Sequence, residues 1–173
     1  MALTFRSYLL TALLAPLFAS VAFAAVPDPC SLLTPAEASA FLGGPAKSRL
    51  DQDAKSNNVA CTWTSGTAFV RVRMETDDIL AACAKAHPGS NVLQTAGASF
   101  AEVKKGGKPS VPLDVVAVTG LGQDAAWVKN LSELWVLKGK KLVVVTLNHK
   151  LLFAPADDLP GAKAVAAKVV PRL

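Results

Sequence analysis

Three cysteines and two histidines are the residues of this 173-residue chain best suited to bind a metal or to act as nucleophiles. Cys83 and His87 are four residues apart and would share one face of a helix. Two ligands do not make a zinc site, however, and a catalytic thiol also needs a base and an electropositive setting. No His-Glu-x-x-His or Cys-x-x-Cys pattern occurs, and His149 follows an apolar run as a boundary residue. The sequence therefore predicts no metal site and no cofactor.

Motifs for covalent or nucleotide chemistry are also missing from the sequence. No Gly-x-Ser-x-Gly elbow presents a serine, and Gly120-Leu121-Gly122 lacks the third glycine of a dinucleotide loop, so it predicts a turn. The acidic pairs Asp77-Asp78 and Asp157-Asp158 fall at predicted helix starts, where the helix dipole already favours negative charge. We therefore expect a protein that is not an enzyme.

The N-terminal residues predict export. Arg6 precedes an apolar run from Tyr8 to Val21, and Ala22-Phe23-Ala24 then provides the small residues after which signal peptidase cuts. We expect residues 1–24 to be a signal peptide and residues 25–173 to be the mature protein, in the periplasm or secreted.

Two other fates of this leader fit the residues less well. An uncleaved anchor needs about 20 apolar residues, whereas this run is shorter and contains the helix breaker Pro16. Acylation of Cys30 would need small or aliphatic residues before it, but Pro27, Asp28 and Pro29 stand there. We expect no integral membrane segment after cleavage.

Export changes how the cysteines are interpreted, because thiols oxidise outside the cytoplasm. Three cysteines leave one unpaired. Cys30 precedes a predicted helix and Cys61 lies in a predicted strand, so a Cys30–Cys61 disulfide would join the first helix to a sheet. Cys83, between apolar neighbours, is interpreted as a small buried hydrophobe.

The charge balance of the mature chain is mild. The full sequence has 18 lysines and arginines and 13 acidic residues, and removal of Arg6 with the leader leaves a formal net charge of +4. These charges are scattered and the aromatic residues lie in apolar segments, whereas nucleic-acid binders concentrate both on one surface. We expect no nucleic-acid partner, and a mature chain without a linker predicts a single domain.

Helix signals are clearest in the first half of the chain. Thr34, Pro35 and Glu37 form a capping box with proline in the first turn, which predicts a helix over residues 35–42. Asp77 is placed to cap a second helix, which is expected to stop before the next proline and glycine.

The second half begins less regularly. Between residues 90 and 112 the pattern weakens to a short helix or strand at 100–103 and a loop at 104–108. Residues 160–170 predict a final helix with one apolar side.

Alternation of apolar and polar residues predicts six short strands joined by turns, at 60–64, 68–74, 115–118, 125–129, 133–138 and 141–147. The last is apolar on both faces, which is typical of a central strand. Runs of strands with helices between them predict an α+β fold, an antiparallel sheet of about six strands backed by helices. Each half has a helical piece followed by about three strands, which suggests a weak duplication.

Surface recognition is the function that these residues favour. Phe69, Arg71 and Arg73 share the face of a strand opposite its apolar residues. Trp135 alternates with core residues and is the best candidate for exposure among the three tryptophans. The loop at 104–108 adds further positive charge through Lys104, Lys105 and Lys108. For each tryptophan the residues favour core packing over exposure, and for the strand face they favour simple solvation over binding.

Several short motifs resemble those of a broad family of small exported bacterial proteins of unknown function, many of them lipoproteins. The residues that carry the resemblance are Asp28-Pro29-Cys30-Ser31-Leu32-Leu33-Thr34-Pro35-Ala36-Glu37, Leu42-Gly43, Cys61-Thr62-Trp63, Gly120-Leu121-Gly122, Ala125 and Trp127. The resemblance implies an antiparallel sheet backed by helices and paired cysteines at 30 and 61. It implies no activity, and this chain lacks the lipid-attachment box of many members.

Together these observations predict a non-enzymatic binding module whose partner is another exported or envelope macromolecule. A narrower version is an inhibitor or immunity-type protein that places its lysine-bearing loop in the acidic cleft of an exported hydrolase. The alternative is a carrier of a small apolar ligand, with the segment from Ser90 to Pro112 as a lid over an apolar pocket.

Overall fold

Most of the described residues fold around one antiparallel sheet. The computed structural model describes residues 28–52, 59–89, 93–108, 111–148 and 158–173, apart from the side chains of 108 and 111. The predicted signal peptide 1–24, His149 and Asp157 lie outside the described residues. The strands are β1 (Lys47–Gln52), β2 (Val59–Ser65), β3 (Ala68–Thr76), β4 (Gly107–Lys108), β5 (Val111–Pro112), β6 (Val115–Val118), β7 (Asp124–Val128), β8 (Glu133–Lys138) and β9 (Lys141–Asn148).

Seven of these strands form the main sheet in the order β1-β2-β3-β9-β8-β7-β6, and β4 pairs only with β5. All neighbours in the main sheet are antiparallel. The predicted α+β class is confirmed, with β9 inside the sheet as its apolar residues indicated. Strands β1, β4 and β5 are additions to the six predicted strands, and the segment after β1 lies outside the described residues.

Four helices complete the fold: α1 (Pro35–Leu42), α2 (Asp77–Ala86), α3 (Ala96–Lys104) and α4 (Leu159–Val169). The bounds of α1 and its capping box agree with the prediction. The predicted cap of α2 was wrong by one residue: Thr76 accepts the hydrogen bond from the Ile79 amide. The Asp77 carboxylate instead accepts the backbone N–H of Ala96, 2.8 Å away, and so joins α2 to the start of α3.

The two faces of the sheet have separate apolar cores. On the first face α1 and α4 cover a large cluster, which includes the fully buried Trp63, Trp127 and Met74. On the second face α3 places Phe100 and Val103 over residues of β7, β8 and β9. Each half of the sheet follows a helix, as the sequence pattern suggested, but α1 and α3 lie on opposite faces.

The predicted disulfide joins the N-terminal segment to the first core. Cys30, in a short 3₁₀ turn at Pro29–Ser31, is bonded to Cys61 on β2, and their Cα atoms are 5.0 Å apart. Cys61 is fully buried. Among the described residues, none of the helices is both long enough and apolar enough to cross a membrane.

An ion pair fastens the C-terminus to α1. The Arg172 guanidinium donates two hydrogen bonds to the Glu37 carboxylate, at 2.7 and 2.8 Å, and one to the Leu32 carbonyl. Glu37 also accepts the Thr34 N–H in the capping box. These hydrogen bonds lower the pKa of Glu37 from 4.5 to about 2, and the bond from Arg172 has the largest effect.

We expect this ion pair to make stability depend on pH in acid. Because the folded-state pKa of Glu37 is depressed, its stabilising effect is complete above about pH 4.5 and disappears as the pH falls towards 2. The variant Arg172→Gln should therefore be less stable than wild type above pH 5, with the difference shrinking between pH 4.5 and 2. Urea midpoints at pH 7, 4, 3 and 2.5 measure this, with Lys168→Gln on the exposed side of α4 as the control. A constant difference at every pH would contradict it.

Candidate binding surface and pocket

The predicted strand face is present on β3. Phe69, Arg71 and Arg73 are half-buried and lie on the second face of the sheet, while the residues between them are buried in the first core. The apolar cluster under α3 includes residues of β7, β8 and β9 but none of β1 or β2. We call the part of this face formed by Arg49, Arg71 and Arg73, with the neighbouring Thr62 and Thr146, the arginine face.

The register of four strands brings two of these arginines into one row. Arg49 on β1 is paired with Thr62 on β2, Thr62 with Arg71 on β3, and Arg71 with Thr146 on β9. Adjacent strands lie about 4.8 Å apart, so Arg49 and Arg71 stand two strand spacings apart. Positive charge is thus spread along a line across the sheet.

Asp51 partly neutralises this row. Its carboxylate accepts hydrogen bonds from Arg49 Nε at 2.8 Å and from the Thr62 hydroxyl at 2.9 Å. Burial works to raise the pKa of the Asp51 carboxyl, but these hydrogen bonds and the charges of Arg49 and Arg71 hold it below its usual value. Arg49 therefore pairs with Asp51 through its Nε atom. The positive charge of Arg71 also stabilises the ionised form of the Asp51 carboxylate.

Arg71 and Arg73 differ in how they are held. The Nε atoms of both are buried and have no hydrogen-bond partner among the described residues. The Arg73 guanidinium lies 5.0 Å from the centre of the Trp135 ring, and its Nη2 is 4.0 Å from the Glu75 carboxylate. Arg73 is thus engaged by an aromatic ring and an acid, which leaves Arg71 as the arginine best placed to receive an external acidic group.

Trp135, which the sequence marked as the best candidate for exposure among the tryptophans, is buried. It lies on the expected face, but only 9% of its surface is accessible, because α3 covers it with Phe100 and Val103. Its Nε1 donates a hydrogen bond to Glu133 at 3.0 Å. The signal that was missed is the apolar spacing of α3, which requires an apolar partner on this face of the sheet.

The lysines predicted to form a loop do not form one basic patch with the arginines. Lys104 belongs to α3 and donates a hydrogen bond to Asp124 at 2.6 Å, and Lys105 lies 3.6 Å from Glu102. A turn at residues 105–106 follows α3, and strand β4 begins immediately after it. The side chain of Lys108 lies outside the described residues. Since β9 and β8 separate β3 from the Asp124 strand, Lys104 lies well away from Arg71.

A pocket of about 210 Å³, which we call the α3 pocket, opens between α3 and the sheet. Its lining among the described residues consists of Glu75, Leu93, Ser99, Glu102, Val103, Gly107, Leu113 and Trp135. Six of these eight belong to the segment 93–113, part of which was predicted to act as a lid. Glu75 is the most buried acidic residue of this lining, and no pattern in the sequence distinguished it.

Glu75 is an unusual residue for such a place. Only 12% of its side chain is exposed. Burial raises the pKa of its carboxyl, while the charge of Arg73 and a hydrogen bond from Ser99 oppose this, and the charge of Glu133 adds to it. The α3 pocket therefore contains a carboxyl group whose ionised form is short of favourable partners.

Cys83 and His87 lie on one side of α2, as their spacing indicated. The Cys83 Sγ atom is 3.6 Å from His87 Nδ1, and His87 is exposed. Cys83 is half-buried and not fully buried as predicted. The described residues contain no group of three side chains able to hold a metal ion.

Comparison with known proteins adds no further assignment. The chain matches no protein-family model, no curated protein and no solved structure. The resemblance carried by the segments around Cys30 and Cys61 stays a prediction. The arginine face and the α3 pocket are therefore the features of this protein that bear on its function.

Proposed function

We propose that this protein is a non-enzymatic binding module of the periplasm or the extracellular space, and that it contacts another macromolecule through the arginine face. The predicted signal peptide supports export. The Cys30–Cys61 disulfide fits an oxidising compartment.

The observation that carries the proposal is the setting of Arg71. Its buried Nε has no hydrogen-bond partner among the described residues, although buried polar groups normally have one. A guanidinium offers a planar set of donors that matches a carboxylate, and here it lies on a sheet, which holds it more rigidly than a loop would. An acidic group of a partner would pair with the outer nitrogens of this half-buried guanidinium.

The narrower inhibitor or immunity-type hypothesis now depends on the same surface. Lys104 and Lys105 are engaged by Asp124 and Glu102, which weakens the case for their insertion into an acidic cleft. Arg71 offers a positive charge from a rigid part of the fold. If the partner is a hydrolase, we expect Arg71 to lie against its acidic residues.

Substitution of Arg71 tests the proposal. With the exported protein as bait in periplasmic extract of its own host, we expect wild type to retain a partner that Arg71→Gln loses. Truncation of one partner of a desolvated ion pair costs about 2 kcal/mol or more, so the dissociation constant should rise roughly 30-fold. Lys163→Gln, on the exposed side of α4, is the matched control. Equal retention by wild type and Arg71→Gln would exclude the arginine face.

The α3 pocket favours a second candidate function, carriage of a small ligand. Its lining is largely apolar and comes mainly from the segment between α2 and β6, the location expected for a lid. Native mass spectrometry of protein purified from its own host distinguishes the two functions. A copurifying small molecule supports the carrier, and a mass equal to that of the protein alone supports the macromolecular partner.

A further inference from the structure

We propose that the α3 pocket binds a compact amine, a molecule with one apolar group of about the size of an aromatic ring and a protonated nitrogen. This inference rests on the second candidate function, ligand binding at the α3 pocket, and assigns the chemical class of that ligand. The juxtaposition of the Glu75 carboxylate with apolar walls in a small pocket carries it.

The volume of the pocket limits the apolar group. A dry protein cavity of about 150 Å³ accommodates benzene, whereas pockets for drug-sized molecules have about 300–1,000 Å³. At about 210 Å³ the α3 pocket lies between these values. It has room for one ring with a short arm.

The charges of the lining determine the sign of the ligand. Glu75 and Glu102 are the charged residues that line the pocket in the described part of the chain, and both are acidic. A carboxylate ligand would meet two like charges in a partly desolvated site, which is unfavourable. A protonated amine would be attracted by both, against the opposing charges of Arg73, 4.0 Å from Glu75, and Lys105, 3.6 Å from Glu102.

The Glu75 carboxylate can also accept further hydrogen bonds. Its closest basic neighbour, Arg73 Nη2, is 4.0 Å away, longer than the 2.7–2.9 Å of a charge-assisted hydrogen bond. An ionised carboxylate can accept about four hydrogen bonds, and Ser99 donates one of them to Glu75. Because burial has removed much of the water that would supply them, an ammonium group that donates directly to Glu75 would offset this loss.

The walls provide the contact for the apolar group. Trp135 is held in place by its bond to Glu133 and by the Arg73 guanidinium, so the ring that lines the pocket is positioned before any ligand arrives. Val103 and Leu113 add aliphatic surface, and Leu93, at 39% exposure, lies at the rim. Burial of an aromatic group here would remove exposed apolar surface from water.

Three matched probes test the proposal: 2-phenylethylamine, 2-phenylethanol and 3-phenylpropanoate, which share a ring and differ in charge. Binding is followed by protein NMR on the chain with its disulfide intact. A hydrogen bond to a charged group contributes about 1.5–3 kcal/mol, so we expect the amine to bind at least about tenfold more tightly than the alcohol. The acid should be the weakest of the three.

Two variants locate the effect, with a control for each. Glu75→Gln keeps the shape of the side chain and should reduce amine affinity about tenfold while alcohol affinity changes less than about threefold. Val103→Phe fills the pocket and should abolish binding of both. Asp78→Asn at the exposed start of α2 and Val116→Phe on β6 should leave binding as in wild type.

The results of these measurements distinguish the assignment of an amine from ligand binding at the α3 pocket itself. Equal binding of amine and alcohol, or no effect of Glu75→Gln, would overturn the assignment of an amine while retaining a ligand pocket. If none of the three probes binds at millimolar concentration, both the amine and the carrier function at this pocket are excluded. Comparison of the three probes on wild type remains decisive if a variant fails to fold.

Discussion

Replacement of both Cys30 and Cys61 by serine is expected to lower the free energy of unfolding by about 3–4 kcal/mol. The reason is that the disulfide closes a loop and so reduces the conformational entropy of the unfolded chain. The two cysteines are 31 residues apart, and the loop they close contains all of α1 and β1. A single domain is stable by only about 5–15 kcal/mol. Loss of the disulfide would therefore remove a large part of the total stability.

Unfolding of the double variant and of wild type in guanidinium chloride measures this effect. The oxidised wild type and Cys83→Ser should unfold at nearly the same denaturant concentration, because Cys83 is half-buried and outside the disulfide. Reduced wild type should resemble the double variant. A double variant within 1 kcal/mol of wild type would mean that the first core holds α1 without the covalent bond.

Local signals in the sequence predicted the parts of the fold that depend on near neighbours. The capping box of Thr34 and Glu37 defined α1, because its hydrogen bonds join residues three apart. The alternation on β3 correctly separated the arginine face from the first core. Strand β1 was missed because it is exposed along nearly its whole length, so it has no apolar face to produce alternation.

The candidate site was harder to predict because distant segments build it. Trp135 was placed on the correct face, but its burial depends on α3, about 35 residues earlier in the chain. The start of α3 is fixed in part by Asp77 on another helix, whose carboxylate accepts the Ala96 N–H. Glu75 enters the α3 pocket only when these elements are assembled, and no local pattern distinguishes it.

The turn predicted at Gly120-Leu121-Gly122 contains a glycine that no other residue should replace. Gly122 has φ = +58°, and a Cβ added there would lie 2.5 Å from the Leu137 carbonyl oxygen and 2.8 Å from Val136 Cγ1. The next residue, Gln123, donates its N–H to the same carbonyl at 2.8 Å. The approach of this turn to β8 therefore requires the absence of a side chain.

We expect Gly122→Ala to destabilise the protein by about 2–4 kcal/mol, the combined cost of a left-handed backbone for alanine and of overpacking against a backbone atom. Thermal and urea unfolding at pH 7 measure the change. Gly120→Ala is the matched control: it has φ = +84° but nothing within 4 Å of the added Cβ. Its cost should be about 1–2 kcal/mol, the conformational part alone.

The difference between the two glycine variants isolates the contact with β8. To relieve the contact, the turn would have to move away from the Leu137 carbonyl, which would weaken the hydrogen bond that the Gln123 N–H donates to it. The side chain of Gln123 also accepts the Gly139 N–H at 2.6 Å. Gly122→Ala should thus loosen the β8–β9 turn as well, visible as faster amide exchange at Gly139. If both variants lost the same stability, the backbone conformation would account for the whole effect and the close packing of this turn on β8 would contribute none of it.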